Sequence, residues 1–263
     1  MKKIKIFQVD AFTDKLFSGN PAAVCMLERW PDDSVLQSIA AENNLPETAF
    51  MVSRIHDFEI RWFTPVVEVD LCGHATLAAA YVLYNCLDYI RTPLQFQSRR
   101  SGELRVFKQE DFLYLDFPAD KLKKTDEAET ISQCIGATPV EVLKGKSDYF
   151  ALVENETIVR ELKPDFAKIA MLKARGLIVT AKGQNVDFVS RFFAPQSGIN
   201  EDPVTGSAHT SLIPYWSAKL KKNEMKALQL SARGGELVCK NNGTRCLIGG
   251  KAKLYLIGEI LTE

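Results

Sequence analysis

The sequence predicts an α/β protein built from two similar, pseudo-symmetric domains. The main observation is a repeated motif. Arg61-Trp62-Phe63-Thr64-Pro65 leads into Cys72-Gly73-His74-Ala75-Thr76, and Arg191-Phe192-Phe193-Ala194-Pro195 leads into Thr205-Gly206-Ser207-Ala208-His209. The arginines Arg61 and Arg191 stand 130 residues apart, whereas Gly73 and Gly206 stand 133 apart. Extra residues are therefore expected in the second copy, in the stretch that holds Glu201-Asp202-Pro203. Short matches elsewhere keep nearly the same offsets: Ile39-Ala40 with Ile169-Ala170 at 130, Leu94-Gln95 with Leu228-Gln229 at 134, and Gly102-Glu103-Leu104 with Gly235-Glu236-Leu237 at 133. The second observation is size. A chain of 263 residues, 46% hydrophobic and 25% charged, divides into two halves of ordinary domain size and globular composition.

The elements follow in order. Val35, Leu36, Ile39 and Ala40 share one helical face behind the capping candidates Asp32 and Asp33, and Pro46 stops that helix. Residues 48–52 and 177–180 read as short buried strands. Residues 58–62 and 188–192 alternate like half-buried ones. Residues 74–86 are apolar nearly all round, which fits a helix buried inside its domain. Its counterpart begins at Ser207 and is expected to kink at Pro214. The polar stretch 118–130 reads as a solvated linker, placing the domains at 1–120 and 121–263, with a terminal strand free to cross back. The tail reads as a meander: strand 237–240, turn Asn241-Asn242-Gly243, strand 244–248, turn Gly249-Gly250, strand 252–257.

Composition excludes several functions. The formal net charge is zero, so no global field favours nucleic acid or an anionic membrane. Six scattered cysteines without a C-x-x-C pair, beside three histidines, give no zinc spacing, and no metal is expected. No secretory segment or membrane-spanning apolar run is present, so the expectation is a reduced, cytoplasmic protein.

Helix starts at Gly73 and Gly206 free backbone N–H groups to face an anion, aided by the macrodipole. One such start is ordinarily only a helix boundary. Two at matched repeat positions point to a shared site for a small carboxylate, and no phosphate-loop pattern indicates a nucleotide. Glu47 either flanks a strand at the surface, as most glutamates do, or stands desolvated at a strand mouth, suited to general acid–base work. Asp202 precedes the second helix, favourably placed for its dipole, within residues that the first copy is expected to lack. His74 is either a polar residue of a first helical turn or a group that polarises a substrate oxygen. His209 and His56 read as structural or exposed. Cys72 is a rival base, since a helix N-terminus lowers a thiol pKa, but Thr205 stands where a two-thiol mechanism needs a second cysteine.

Several strings together resemble the phenazine-biosynthesis (PhzF-like) isomerase family: Val9-Asp10-Ala11-Phe12, Ser18-Gly19-Asn20-Pro21-Ala22-Ala23-Val24, Asn44-Leu45-Pro46-Glu47-Thr48-Ala49-Phe50, the two repeat motifs, and Glu201-Asp202-Pro203-Val204. The resemblance covers essentially the whole chain. It implies a diaminopimelate-epimerase-like fold, in which each domain is a curved barrel-like sheet around a central helix. It also implies a homodimer, no cofactor, and a proton moved between carbons of a dihydro-hydroxyanthranilate. By resemblance the catalytic residues are Glu47, His74 and Asp202, while Asn20, Gly73, Gly206 and Ser207 bind the substrate. Family resemblance does not set the substrate. A racemase using Cys72 and a non-catalytic small-acid binder remain as alternatives.

Overall fold

The computed structural model describes residues 1–262, which fall into two units: Met1–Asp116 together with the chain from Gly249 on, and Phe117–Ile248. In the first unit the strands are β1 (Lys2–Ala11), β2 (Asn20–Leu27), β3 (Glu47–Ser53), β4 (Phe58–Phe63), β5 (Glu68–Val69), β6 (Leu94–Ser98) and β7 (Gly102–Gln109). Strand β8 (Phe112–Pro118) leads out of it. Pairing runs β1–β2 antiparallel, β2–β3 parallel, β3–β4 antiparallel, β4–β6 parallel and β6–β7 antiparallel. Helices α1 (Asp33–Asn43) and α2 (Gly73–Cys86) supply the two parallel crossovers.

The second unit holds β9 (Lys123–Lys124), β10 (Glu141–Lys144), β11 (Asp148–Leu152), β12 (Gly176–Lys182), β13 (Phe188–Phe193), β14 (Glu224–Gln229) and β15 (Gly235–Asn241), and most of β16 (Arg245–Gly250). Its helices are α3 (Ala128–Ile135), α4 (Glu156–Glu161), α5 (Phe166–Ala170) and α6 (Gly206–Leu220). From β10 to β15 the pairing is antiparallel, parallel, antiparallel, parallel, antiparallel, the same series as in the first unit. The repeat in sequence is thus a repeat in topology, and the fold is α/β and pseudo-symmetric.

Why each central helix is apolar all round follows from its surroundings. Helix α2 packs on β1, β2, β3 and, at its far side, β17 (Ala252–Thr262), and its Leu77, Ala78, Ala79, Ala80 and Val82 are fully buried. The opposite sheet face is covered by Leu36, Ile39 and Ala40 of α1, which meet Ala23, Cys25 and Phe50. Strand β2 is therefore buried on both faces and reads as a continuous apolar run. In the second unit Leu177, Val179 and Ala181 of β12 join Ile131, Val159 and Ile169 of the covering helices. Between them Thr180 faces α6 and accepts from Trp216 Nε1 at 3.0 Å.

Several expectations need correction. Asp32 caps α1 through its carbonyl, which accepts from the Val35 and Leu36 amides, and no side-chain cap forms. The helix closes on Asn44 in the left-handed region, two residues before Pro46. Helix α6 runs unbroken through Pro214. Proline removes the donor that Thr210 O would accept from, and the Asp120 amide replaces it at 3.1 Å. The stretch 118–130 is accordingly no mere linker: Asp120 also accepts from Ser211 Oγ, and β9 pairs with β10. Gly249-Gly250 is strand, not turn. A Cβ would meet the Tyr114 ring at Gly249 and the Phe12 ring at Gly250, both within 2.4 Å. The last strand, β17, pairs antiparallel with β1, from Ala11↔Ala252 to Lys2↔Thr262. It lies in the first unit.

Candidate active site

Each repeated arginine ties down the loop that delivers a helix start. Buried Arg61 on β4 makes a bidentate pair with Glu68 (Nε–Oε1 2.7 Å, Nη2–Oε2 2.8 Å) and donates through Nη1 to Asp33. Arg191 on β13 makes the equivalent pair with Glu201 at 2.6 and 2.9 Å and donates to the Val159 and Leu162 carbonyls. Glu68 and Glu201 are thus counterparts, 133 residues apart, and Val69 is the counterpart of Asp202. The extra residues lie before Glu201, in the 3₁₀ turn Pro195–Ser197 and the Ala194↔Ile199 bridge. In the first copy Thr64 Oγ1 closes that loop tightly on the Val66 and Val67 amides. The expectation that Asp202 occupies inserted residues is therefore wrong. The halves differ there by substitution.

In the first unit the fold brings Asn20, Glu47, Cys72 and His74 together. The parallel register Ala22↔Glu47 sets the first residues of β2 and β3 at one end of the sheet, and α2 begins there. Gly19 enters β2 at φ +67°, where a Cβ would strike Ala11 O at 2.2 Å. Asn20 Nδ2 donates to His74 Nδ1 at 3.0 Å, which leaves the ring proton on Nε2, and Nε2 lies 3.1 Å from Glu47 Oε2. That approach is off the hydrogen-bond line, so Oε2 is a buried carboxylate oxygen without an aligned donor. Burial opposes charge on His74, while an ionised Cys72 and Glu47 favour it and raise its pKa; with the Cys72 thiol protonated only the Glu47 contribution remains.

Cys72 is the N-cap of α2, with Sγ 3.5 Å from His74 Nδ1. The helix terminus was expected to lower its pKa. Instead, burial first and the Glu47 carboxylate second push the thiol up to about 11, so it is protonated at neutral pH. Desolvation in an apolar setting outweighs half a unit of helix charge.

The second unit builds a different start. Thr205, the N-cap of α6, donates through Oγ1 to Asp202 Oδ2 at 2.5 Å. Buried Gln229 on β14 fixes both: its Oε1 accepts from the Thr205 amide at 2.8 Å, and its Nε2 donates to Asp202 O and Thr205 Oγ1. Thr205 is thereby committed to holding Asp202, which explains a hydroxyl where a second thiol was sought. Arg175, paired with Asp148, donates through Nη1 to Ser207 Oγ at 2.9 Å. A guanidinium cannot accept, so the Ser207 hydroxyl proton is left for another acceptor. His209 is structural: Nδ1–H donates to Thr205 O at 2.8 Å, the ring is fully buried beside Phe188, and desolvation lowers its pKa to about 4. Sequence reasoning missed Gln229, Arg175 and Asp148. Only the Leu94-Gln95/Leu228-Gln229 match pointed toward one of them.

One donor atom each from Glu47, Cys72 and His74 lies within 4.8 Å of the others, the sole such group of metal-capable side chains among the described residues. No helix among the described residues is long and apolar enough to cross a membrane.

The sequence profile of the phenazine biosynthesis-like protein family matches residues 9–258. A protein named an uncharacterized isomerase from Pseudomonas aeruginosa is 52% identical over 258 residues, 98% of this chain and 99% of the relative. The crystal structure of a PhzF-family phenazine biosynthesis protein from Enterococcus faecalis superposes with TM-score 0.96 at 45% identity, covering 99% of this chain and 100% of that one. A predicted epimerase from Pseudomonas aeruginosa, at 19% identity, shares the fold, with TM-score 0.78 over 99% of this chain and 100% of that one. A central apolar helix started by glycine in each of two repeated units, a buried Glu–His–Asn group, and these likenesses agree: the chain belongs to the phenazine biosynthesis-like (PhzF) family of isomerases.

Proposed function

We propose that this isomerase moves a proton on a small, carboxylate-bearing substrate by general acid–base catalysis, with Glu47 as the shuttle and no cofactor. The observation that carries the reading is Glu47 Oε2, buried, 3.1 Å from His74 Nε2 and without an aligned donor. Such an oxygen has a lone pair free to take a substrate C–H proton, and little water competes for it. The electron pair left on carbon delocalises into the conjugated acid, and Glu47, whose carboxyl proton exchanges with solvent, delivers a proton to a second carbon. The substrate is thereby isomerised and the enzyme regenerated. His74 Nε2–H and the Asn20 amide orient and polarise the reacting group. By the family resemblance Asp202, which Thr205 and Gln229 position, assists, and the helix starts at Gly73 and at Gly206-Ser207 are the substrate-binding elements.

The thiol alternative is less well supported. Cys72 is protonated at neutral pH, and Thr205 spends its hydroxyl proton on Asp202. The reading extends to a homodimer, as the family resemblance implies, in a reducing cytoplasm, which suits six free cysteines. Incubation of unsaturated and hydroxylated carboxylic acids with the protein in D₂O, followed by mass spectrometry, tests it. Isomerised product carrying solvent deuterium is expected for at least one acid. Acids that bind tightly yet gain no deuterium would overturn the proposal in favour of a small-acid binding protein.

A further inference from the structure

Cys72 has no part in the proposed reaction, yet its sulfur lies beside the two groups that do. Sγ is 4.0 Å from His74 Nε2, Nε2 is 3.1 Å from Glu47 Oε2, and the three donors lie within 4.8 Å of one another. We propose that Glu47, Cys72 and His74 form a binding site for a thiophilic divalent cation, zinc above all, which reversibly blocks the proton-transfer centre. Thiolate, imidazole and carboxylate are the zinc donor set, whereas magnesium and calcium prefer oxygen alone. Tetrahedral zinc, with bonds of about 2.0–2.3 Å, spaces its ligands by roughly 3.3–3.6 Å, so each donor need shift by less than about 1 Å. Glu47 Oε2, lacking an aligned hydrogen-bond donor, gains a partner from the ion.

Charge and protons balance. The thiol proton leaves to solvent, and thiolate plus carboxylate cancel the two charges of the cation, so the occupied cluster is neutral and can stay buried. The imidazole proton passes from Nε2 to Nδ1, and Asn20 turns its amide so that the carbonyl oxygen accepts it, the outer support that metal-bound histidines use. The fourth position is left to water. An ion on Oε2 occupies the lone pair that would take the substrate proton. That consequence rests on the function proposed for Glu47; the binding itself does not.

Cobalt is the probe. Titration of the whole protein with Co²⁺, with a reductant that does not chelate, is expected to raise a stoichiometric thiolate-to-cobalt charge-transfer band that zinc displaces. The band should vanish in Cys72→Ala, remain in Cys86→Ser, whose half-buried thiol is the control, and require at least ~10-fold more cobalt in His74→Gln. Circular dichroism and melting of Cys72→Ala show whether it is folded, and His74→Gln tests the site with the thiol intact. No band in the wild type, a band that survives in Cys72→Ala, or unchanged affinity in His74→Gln would overturn the site. Cobalt binding as described with turnover undiminished by saturating zinc would leave the site standing and remove Glu47 Oε2 from the reaction.

Discussion

Acidification should weaken this protein through His209, well before the exposed carboxylates titrate. The ring is fully buried, its Nδ1–H is held by Thr205 O, and Nε2 has no partner among the described residues, so a second proton has nowhere favourable to go. Its pKa falls from the ordinary 6.5 to about 4. Between those values the unfolded chain binds a proton that the folded chain refuses, so stability is lost as pH falls from 6.5 toward 4 and is fully present above that window. The gap corresponds to about 3 kcal/mol over the whole window, and to about 2 kcal/mol between roughly pH 7.5 and pH 5. That loss amounts to a melting shift of roughly 4–8 °C. Thermal unfolding of wild type and His209→Gln at the two pH values isolates the effect. Glutamine can still donate to Thr205 O but does not titrate. The variant should begin less stable, having lost packing beside Phe188, and should lose about 2 kcal/mol less on acidification. Equal losses in both proteins would refute the assignment of a neutral, buried imidazole.

Three further outcomes are expected. Gln229→Leu leaves the Thr205 amide without its acceptor, which should cost about 1–3 kcal/mol in urea unfolding and lower turnover by up to ~100-fold as Asp202 loses its register. Gln229→Glu keeps that acceptor but loses both donations, so it should recover more of the stability than of the turnover. Arg61→Met leaves the half-buried Glu68 carboxylate only its longer contact with Arg100 and loosens the loop that delivers Gly73, a loss of about 1–3 kcal/mol by thermal melting. Cys72→Ala should retain turnover within a few-fold of wild type in a steady-state assay. Loss of activity without loss of fold would make the thiol catalytic after all.

Local pattern carried most of the architecture. The apolar run at residues 74–86 became α2 almost to the residue, and the alternation at 58–62 and 188–192 became β4 and β13. Repeat offsets conveyed the pseudo-symmetry because duplicated topology keeps its spacing. What local pattern could not carry was long-range partnership. Gly249-Gly250 resembles a hairpin turn in sequence, and only the rings of Tyr114 and Phe12 show why those positions lack side chains. The pairing of β17 with β1 spans nearly the whole chain and leaves no local trace. Ion pairs, not letters, located the insertion: Arg191–Glu201 matches Arg61–Glu68 and moves the extra residues ahead of Glu201. For Cys72 the sequence showed the helix terminus but not the burial, and burial decides the sign. Motifs pointed to Glu47, His74 and Asp202 as candidates, whereas Gln229 and Arg175 act through contacts that no short motif encodes.

The central claim is that Glu47 carries the substrate proton. The most direct test is single-turnover conversion in D₂O, with the acid that wild type isomerises, comparing wild type and Glu47→Gln by mass spectrometry. Glutamine preserves shape and the approach of His74 but cannot exchange a proton. The account predicts deuterated product from wild type and a rate reduced by at least ~10²–10⁴-fold in the variant, with binding of the acid retained. Deuterium entering product at the wild-type rate in Glu47→Gln would contradict it.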